Sequence, residues 1–279
     1  MINYPHMVAA PAQGVGREIP QSKEAYLKLF EKEWIPFHEG RAPETGLKEK
    51  GRPERKKICE DVKLKNAQKG LFLVTDGVSS SQGWYASRAT ARIMYERLGE
   101  ELDRGVENNI QEALRHGENP LERITTYVVA QVIAAVEQAD SHIRATGAMN
   151  REFHGSTTTL SMAKLVELPD TKGGRLQRLF FTNVGDSRIY VQRKGGHLER
   201  VTRDDSLLQH HVDLQEITPQ DADAIDQAPD PKRLDARLSA YARQRTIITK
   251  SVGSGRPTEN LGVSYIDLQP GDRFVRENE

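Results

Sequence analysis

The sequence predicts an α+β domain in which sheet packs on sheet and helices lie outside. Three observations carry that prediction. Leu71-Phe72-Leu73-Val74 is a short continuous apolar run, as in a strand buried on both faces. Two stretches, Ala86 to Leu102 and about Leu121 to about Thr146, place apolar residues at helical spacing. After Gly155 the chain turns to runs rich in β-branched and aromatic residues, and long helices between runs of strands are the pattern of an α+β fold. With 279 residues there is room for one large core or two small ones.

Residues 1–54 read as an N-terminal segment, punctuated by Pro11, Gly14, Gly16, Pro20, Pro36, Pro43 and Pro53. It offers one short helix, Lys23 to Trp34, a candidate first strand around Met7 to Gly14, and a charged loop or insertion from His38 to Lys57. Gly14-Val15-Gly16 is too short for a nucleotide fingerprint and reads as a turn. Order begins at Lys69-Gly70, and the apolar run ends in Thr75-Asp76-Gly77. In the first helix Ala86, Ala89, Ile93, Met94, Leu98 and Leu102 repeat on one face. In the second, Leu121, Ile124, Val128, Val132, Ala135, Ala139 and Ile143 form the stripe, and Pro120 sits where a first-turn proline is tolerated.

Thr157 to Met162, Leu179 to Val184, Arg188 to Gln192 and His197 to Val201 follow as strands of a β-meander, with Gly195-Gly196 as one of its turns. Leu234, Leu238 and Tyr241 suggest a further helix, and His210-His211 is placed on a solvated loop. Gly262 to Leu268 alternates as a strand, Pro270-Gly271-Asp272 is a turn, and Arg273 to Glu279 starts like a strand before turning charged.

Composition excludes several functions. Forty Lys and Arg balance forty Asp and Glu, so no net basic field favours nucleic acid or anionic lipid. Cys59 is the single cysteine, which rules out an intramolecular disulfide and suits a reducing compartment. The N-terminus lacks the pattern of a signal peptide, and no apolar run approaches the roughly 20 residues of a membrane helix. The expectation is a cytoplasmic protein that binds neither nucleic acid nor membrane.

Asp76-Gly77 is the most informative pair for chemistry. A carboxylate where a buried strand emerges is costly unless a cation or donor meets it, and Gly77 allows close backbone approach. Hard divalent cations take such oxygen donors. Taken alone, a turn or helix cap explains the pair as well. In Lys56-Lys57-Ile58-Cys59-Glu60-Asp61, adjacent carboxylates on a strand would point to opposite faces, so one could approach a metal while the other orients its shell. Asn183-Val184-Gly185-Asp186-Ser187-Arg188 could be a plain hairpin.

In series, these pieces are not independent. Glu60-Asp61, an apolar strand into Asp76-Gly77, Gly83-x-x-Ala86-Ser87, Gly155-Ser156-Thr157-Thr158, Gly185-Asp186-Ser187-Arg188, Thr202-Arg203-Asp204-x-Ser206 and Pro270-Gly271-Asp272-Arg273 closely resemble the metal-dependent Ser/Thr protein phosphatases of the PPM type, the type 2C family. The resemblance covers roughly residues 55–273, within a domain taken as 55–279. It implies a four-layer α-β-β-α sandwich with a binuclear site for Mg2+ or Mn2+. It also implies hydrolysis of phosphoserine and phosphothreonine in proteins by metal-activated water. Phosphorylated proteins would be its substrates, opposite a Ser/Thr kinase. It assigns Asp76 as the catalytic, metal-bridging carboxylate, Gly77 as a carbonyl donor, Glu60 and Asp61 as supports through water, and Asp186 to a third, weaker metal site.

Several positions depart from the family pattern. Lys56 stands where an arginine commonly grips the phosphate, keeping the charge but losing the bidentate fork. Val78 stands at a position that holds His in some members, Ser79-Ser80 replaces Gly-Gly, and Asp205 stands where His commonly follows Asp204. The family continues past the Pro-Gly-Asp turn to two further metal-binding Asp residues that this sequence does not contain. The resemblance therefore implies a C-terminally incomplete domain lacking its last strands, with one metal losing carboxylates and sheet edges left unpaired. A catalytically silent binding or regulatory module of the same fold is the alternative.

Overall fold

In a computed structural model, the structure describes residues 60–78, 82–169, 174–257 and 259–277. The readings for Met7–Gly14, Lys23–Trp34, His38–Lys57, Lys56 and Ser79-Ser80, and the boundary at residue 54, lie outside the described residues.

Strand β1 (Val62–Asn66) runs antiparallel to β2 (Leu71–Thr75), and helix α1 (Gly83–Glu96) follows. After a wide turn, Arg97–Glu101, that kinks at Gly99, the chain continues into α2 (Leu102–His116). Helix α3 (Pro120–Met149) is capped by the Asn119 side chain, which accepts from the Leu121 amide at 3.0 Å. Next come β3 (Leu160–Pro169), β4 (Arg175–Val184), β5 (Arg188–Gln192) and β6 (Leu198–Arg200). Three short helices, α4 (Leu207–Asp213), α5 (Pro219–Asp226) and α6 (Ala236–Ala242), precede β7 (Ser264–Leu268) and β8 (Arg273–Glu277).

Among the described residues these strands form a five-stranded sheet, ordered β1-β2-β3-β4-β7, and a three-stranded sheet, ordered β6-β5-β8. Ala163, Leu179 and Phe181 from the first sheet pack with Ile189 and Val191 from the second, so sheet does lie on sheet. The other face of the large sheet presents Leu71, Leu73, Leu160, Met162 and Phe180 to α1 and α3, whose Ala89, Met94, Val128, Val132, Ala135 and Ile143 are buried against it. Each of these side chains larger than Ala contributes about 1.5–3 kcal/mol on leaving water. Two buried cations tie the layers together. Lys164 on β3 donates to the Lys69 carbonyl at 2.6 Å and to Asp103 of α2 at 2.7 Å. Arg178 on β4 grips Asp267 of β7 at 2.6 and 2.8 Å, reaches Thr125 of α3 at 2.7 Å, and lies over the Tyr265 ring.

The meander reading needs correction. β3 and β4 pair along their whole length, but β4 and β5 belong to different sheets. The Gly185-Asp186-Ser187 segment is thus a crossing between layers, not a hairpin turn. The chain crosses again between β7 and β8, where Asp272 accepts from Gln269 and Lys194 amides and from Arg193. Ordered structure also starts earlier than Lys69, with β1. Glu60-Asp61 precedes that strand rather than lying on it.

The first predicted helix stops at Glu96, and α2 escaped notice because only Leu102, Val106 and Ala113 are buried along it. His210 and His211 lie on α4, not on a loop. His211 bonds Glu216 at 2.5 Å and Gln244 at 2.8 Å. Among the described residues no helix is long and apolar enough to cross a membrane.

Replacing Asp103 by Ala leaves the buried Lys164 ammonium with a backbone carbonyl alone. Because Asp103 is 43% exposed, we expect a cost of about 2 kcal/mol, measured by urea unfolding.

Candidate metal centre

β2 ends at Thr75, so Asp76 is the first residue beyond the strand, half-buried. The segment 157–159 holds its backbone. The Thr159 amide and the Thr158 hydroxyl both donate to the Asp76 carbonyl at 2.8 Å. The Asp76 amide donates to Thr159 Oγ1 at 3.0 Å, and the Val78 amide to the Thr157 carbonyl at 3.0 Å. The Gly77 amide donates to the Glu60 carbonyl at 3.2 Å, which brings the Glu60-Asp61 segment alongside.

Glycine is required at both ends of the next contact. A Cβ on Gly83 would lie 2.2 Å from the Gly77 carbonyl carbon, and one on Gly77 would lie 2.3 Å from that of Gly83. The start of α1 therefore touches the Asp76-Gly77 loop backbone to backbone, which explains Gly83 in the sequence series.

Asp186 arrives on the crossing from β4 to β5. Gly185 has φ of +99° and packs on Thr159, where a Cβ would stand 2.8 Å from Thr159 Cγ2. Thr159 Oγ1 and Ser187 Oγ are 2.8 Å apart, and Ser161 Oγ donates to the Ser187 carbonyl at 2.6 Å and also contacts Asn183. The Asp76 loop and the Asp186 loop thus share Thr159. Asp205 takes part in a way the family pattern does not foresee. Its amide donates to the Gly185 carbonyl at 2.8 Å, its carboxylate accepts from the Gly185 amide at 3.2 Å, and Lys250 lies 3.1 Å away. Arg188 binds Asp204 through two nitrogens and reaches Asp226 of α5 at 2.5 Å.

The electrostatics follow from this convergence. Burial, then a hydrogen bond with the Asp61 carboxyl, then the charges of Asp61, Asp186 and Glu60, push Asp76 up to about 7. Asp186 is raised as well, first by burial and then by Asp204 and Asp226, against the pull of its own backbone and Arg188. Glu60, Asp61, Asp76 and Asp186 therefore share one neighbourhood, with Asp61 in direct contact and Glu60 acting from farther off.

The donor chemistry, carboxylates beside a glycine that brooks close approach, is all oxygen and suits a hard divalent cation. The mutual repulsion is what such a cation would relieve. Among the described residues, however, no three His, Cys, Asp or Glu side chains close into a ready coordination group. The sequence names Thr158, Ser187 and Asp205 without a role, and their work as brackets, together with Thr159, emerges only in the structure. Their signal was a run of hydroxyl residues placed just before a strand.

No sequence-family model and no curated protein matches the chain. Solved structures do. The serine/threonine phosphatase PstP/Ppp of Mycobacterium tuberculosis is 23% identical, with 84% of this chain and 74% of that one covered at a TM-score of 0.51. The catalytic domain of serine threonine protein phosphatase PstP in complex with two manganese ions is 21% identical, with 83% and 72% covered at 0.51. A bacterial serine phosphatase is 19% identical, with 77% and 70% covered at 0.50. These likenesses establish the fold.

Two measurements probe the centre. Gly83→Ala must separate two touching backbones, and we expect it to cost about 2–3 kcal/mol in chemical denaturation. Asp76 has a folded pKa of about 7 against an ordinary 3.8, so folding takes up a proton between those values. Its contribution to the stability of chelator-treated protein is therefore lost as pH rises through that window. Melting curves of wild type and Asp76→Asn, with and without chelator, should show a steeper loss with rising pH in chelated wild type than in chelated Asp76→Asn, and Mn2+ should remove the difference.

Proposed function

We propose that this chain, which has the fold of the PPM-type Ser/Thr phosphatases, hydrolyses phosphoserine and phosphothreonine in proteins at a binuclear metal site built on Asp76. The observation that carries the reading is Asp76 at the end of β2, in contact with the Asp61 carboxyl and within the field of Asp186 and Glu60, with burial and these neighbours raising it to about 7. The manganese ions of the PstP catalytic domain support Mn2+ or Mg2+ as the cations.

Asp76, together with the Gly77 carbonyl, would hold the ions. Glu60 and Asp61 would orient the surrounding water, and Asp186 would hold a third, weaker ion. When bound, such ions supply a water acidic enough to attack phosphorus near neutral pH and offset charge on the phosphoryl oxygens. The chain's own work is positional. The 157–159 segment fixes the Asp76 backbone, the contact with Gly83 sets the loop against α1, and Thr159 holds the Asp186 loop at a constant distance. Lys56 is inferred to attract the phosphate as a point charge. The substrates we infer are cytoplasmic phosphoproteins, opposite a Ser/Thr kinase, with no role for nucleic acid or membrane.

A second reading, a PPM-fold module that binds without catalysing, is favoured by one observation: no three ligand side chains among the described residues are gathered ready for a metal. Calorimetry with Mn2+ separates the two, since a silent module shows no tight two-site binding. Phosphate release from a phosphothreonine peptide should require Mn2+ or Mg2+ and should fall at least about a hundredfold in Asp76→Asn. Unchanged activity in that variant would falsify the metal mechanism.

A further inference from the structure

Asp140 lies on the apolar stripe of α3, between Val136 and Ile143, and is 2% exposed. A carboxylate there is costly unless donors surround it. They come mostly from a distant loop. The Gly253 and Gly255 amides donate to Asp140 Oδ1 at 2.8 and 3.0 Å, and Arg144 Nε donates to Oδ2 at 2.9 Å. Both glycines have positive φ, +99° and +94°, the backbone form that turns alternate N–H groups toward one anion. Gly253 has no room for a side chain, because a Cβ would stand 2.4 Å from the Ser156 carbonyl oxygen.

From that loop an unbroken chain of hydrogen bonds leads to the metal centre. Val252 and Thr158 exchange backbone bonds, 3.0 Å from the Thr158 amide and 2.9 Å from the Val252 amide. Thr158 Oγ1 and the Thr159 amide then hold the Asp76 carbonyl, both at 2.8 Å.

We propose that Asp140 is a positioning residue for the metal centre, acting through Gly253, Gly255, Val252 and Thr158 on the backbone of Asp76. Its carboxylate folds the 252–255 loop into the shape that presents Val252 to Thr158. Without it the loop loses two donors' worth of restraint, and Asp76 no longer sits at a fixed angle to Asp61 and Asp186. The inference rests on the phosphatase reading for its effect on metal, and on the hydrogen-bond chain alone for its effect on the loop.

The test uses the whole chain and three variants. Asp140→Ala removes the acceptor, Asp140→Asn keeps one acceptor oxygen, and Asp103→Ala removes the carboxylate partner of Lys164, which pairs with Leu71 at the opposite end of β2 from Asp76. Mn2+ calorimetry is run below the melting point of each, with amide exchange measured in chelator alongside. Asp140→Ala should bind Mn2+ about tenfold or more weakly, as loss of an outer-shell partner does. Asp140→Asn should recover most of that affinity, and Asp103→Ala should bind as wild type although it is destabilised.

In chelator, exchange in Asp140→Ala should quicken at Val252, Thr158 and Thr159 ahead of the other strand amides. Wild-type Mn2+ affinity in Asp140→Ala, no recovery in Asp140→Asn, or an equal loss in Asp103→Ala each overturns the proposal. So does exchange that quickens evenly over the sheets. If wild type itself binds no Mn2+, the phosphatase reading fails, and the exchange pattern alone decides the role of Asp140.

Discussion

The burial of Asp76 beside other acidic groups is the constraint around which this part of the molecule is organised. Burial and neighbouring charge both oppose an ionised Asp76. Left to relax, the two loops that carry these groups would move apart. They are held instead by backbone bonds to residues 157–159, by Thr159 shared between both loops, and by the contact of Gly77 with Gly83. Stability is surrendered locally to keep Asp76 among other acidic groups, a departure from what packing alone would choose.

The sheets make that arrangement possible. β4 and β5 lie in different layers, so the chain between them must cross the edge of the sandwich, and Asp186 sits on that crossing. β2 ends beside it because β3 lies between β2 and β4, pairing with both. The centre is therefore a product of topology. Residues far apart in sequence meet because three neighbouring strands end at the same rim.

Much of this was legible in the sequence, and the reasons for success and failure are physical. The apolar run 71–74 and the stripe from Ile124 to Ile143 fold as their periodicity indicates, because each buries a full face. The order of short motifs pointed to the fold, and the solved structures share it. The 183–188 segment misled because a crossing and a hairpin use the same turn residues. Partner choice depends on tertiary packing that local pattern does not carry. Helices α4 and α5 were missed because they are short, although Thr218 and Asp221 form a reciprocal capping pair that marks the start of α5. Asp140 is not singled out by the sequence, because the two backbone amides that justify its burial lie more than a hundred residues downstream.

Helices α4, α5 and α6 have a core of their own, formed by Leu208, Ile217, Ile225, Leu238 and Ala242. Arg188, by gripping Asp204 and Asp226 together, couples that core to the crossing that bears Asp186. A satellite core of this kind can open as a unit while the sandwich stays folded. Mutational drift is partitioned in the same way. Substitutions inside the satellite would act first on its own lifetime and would reach the Asp186 crossing through Arg188 and through Asp205.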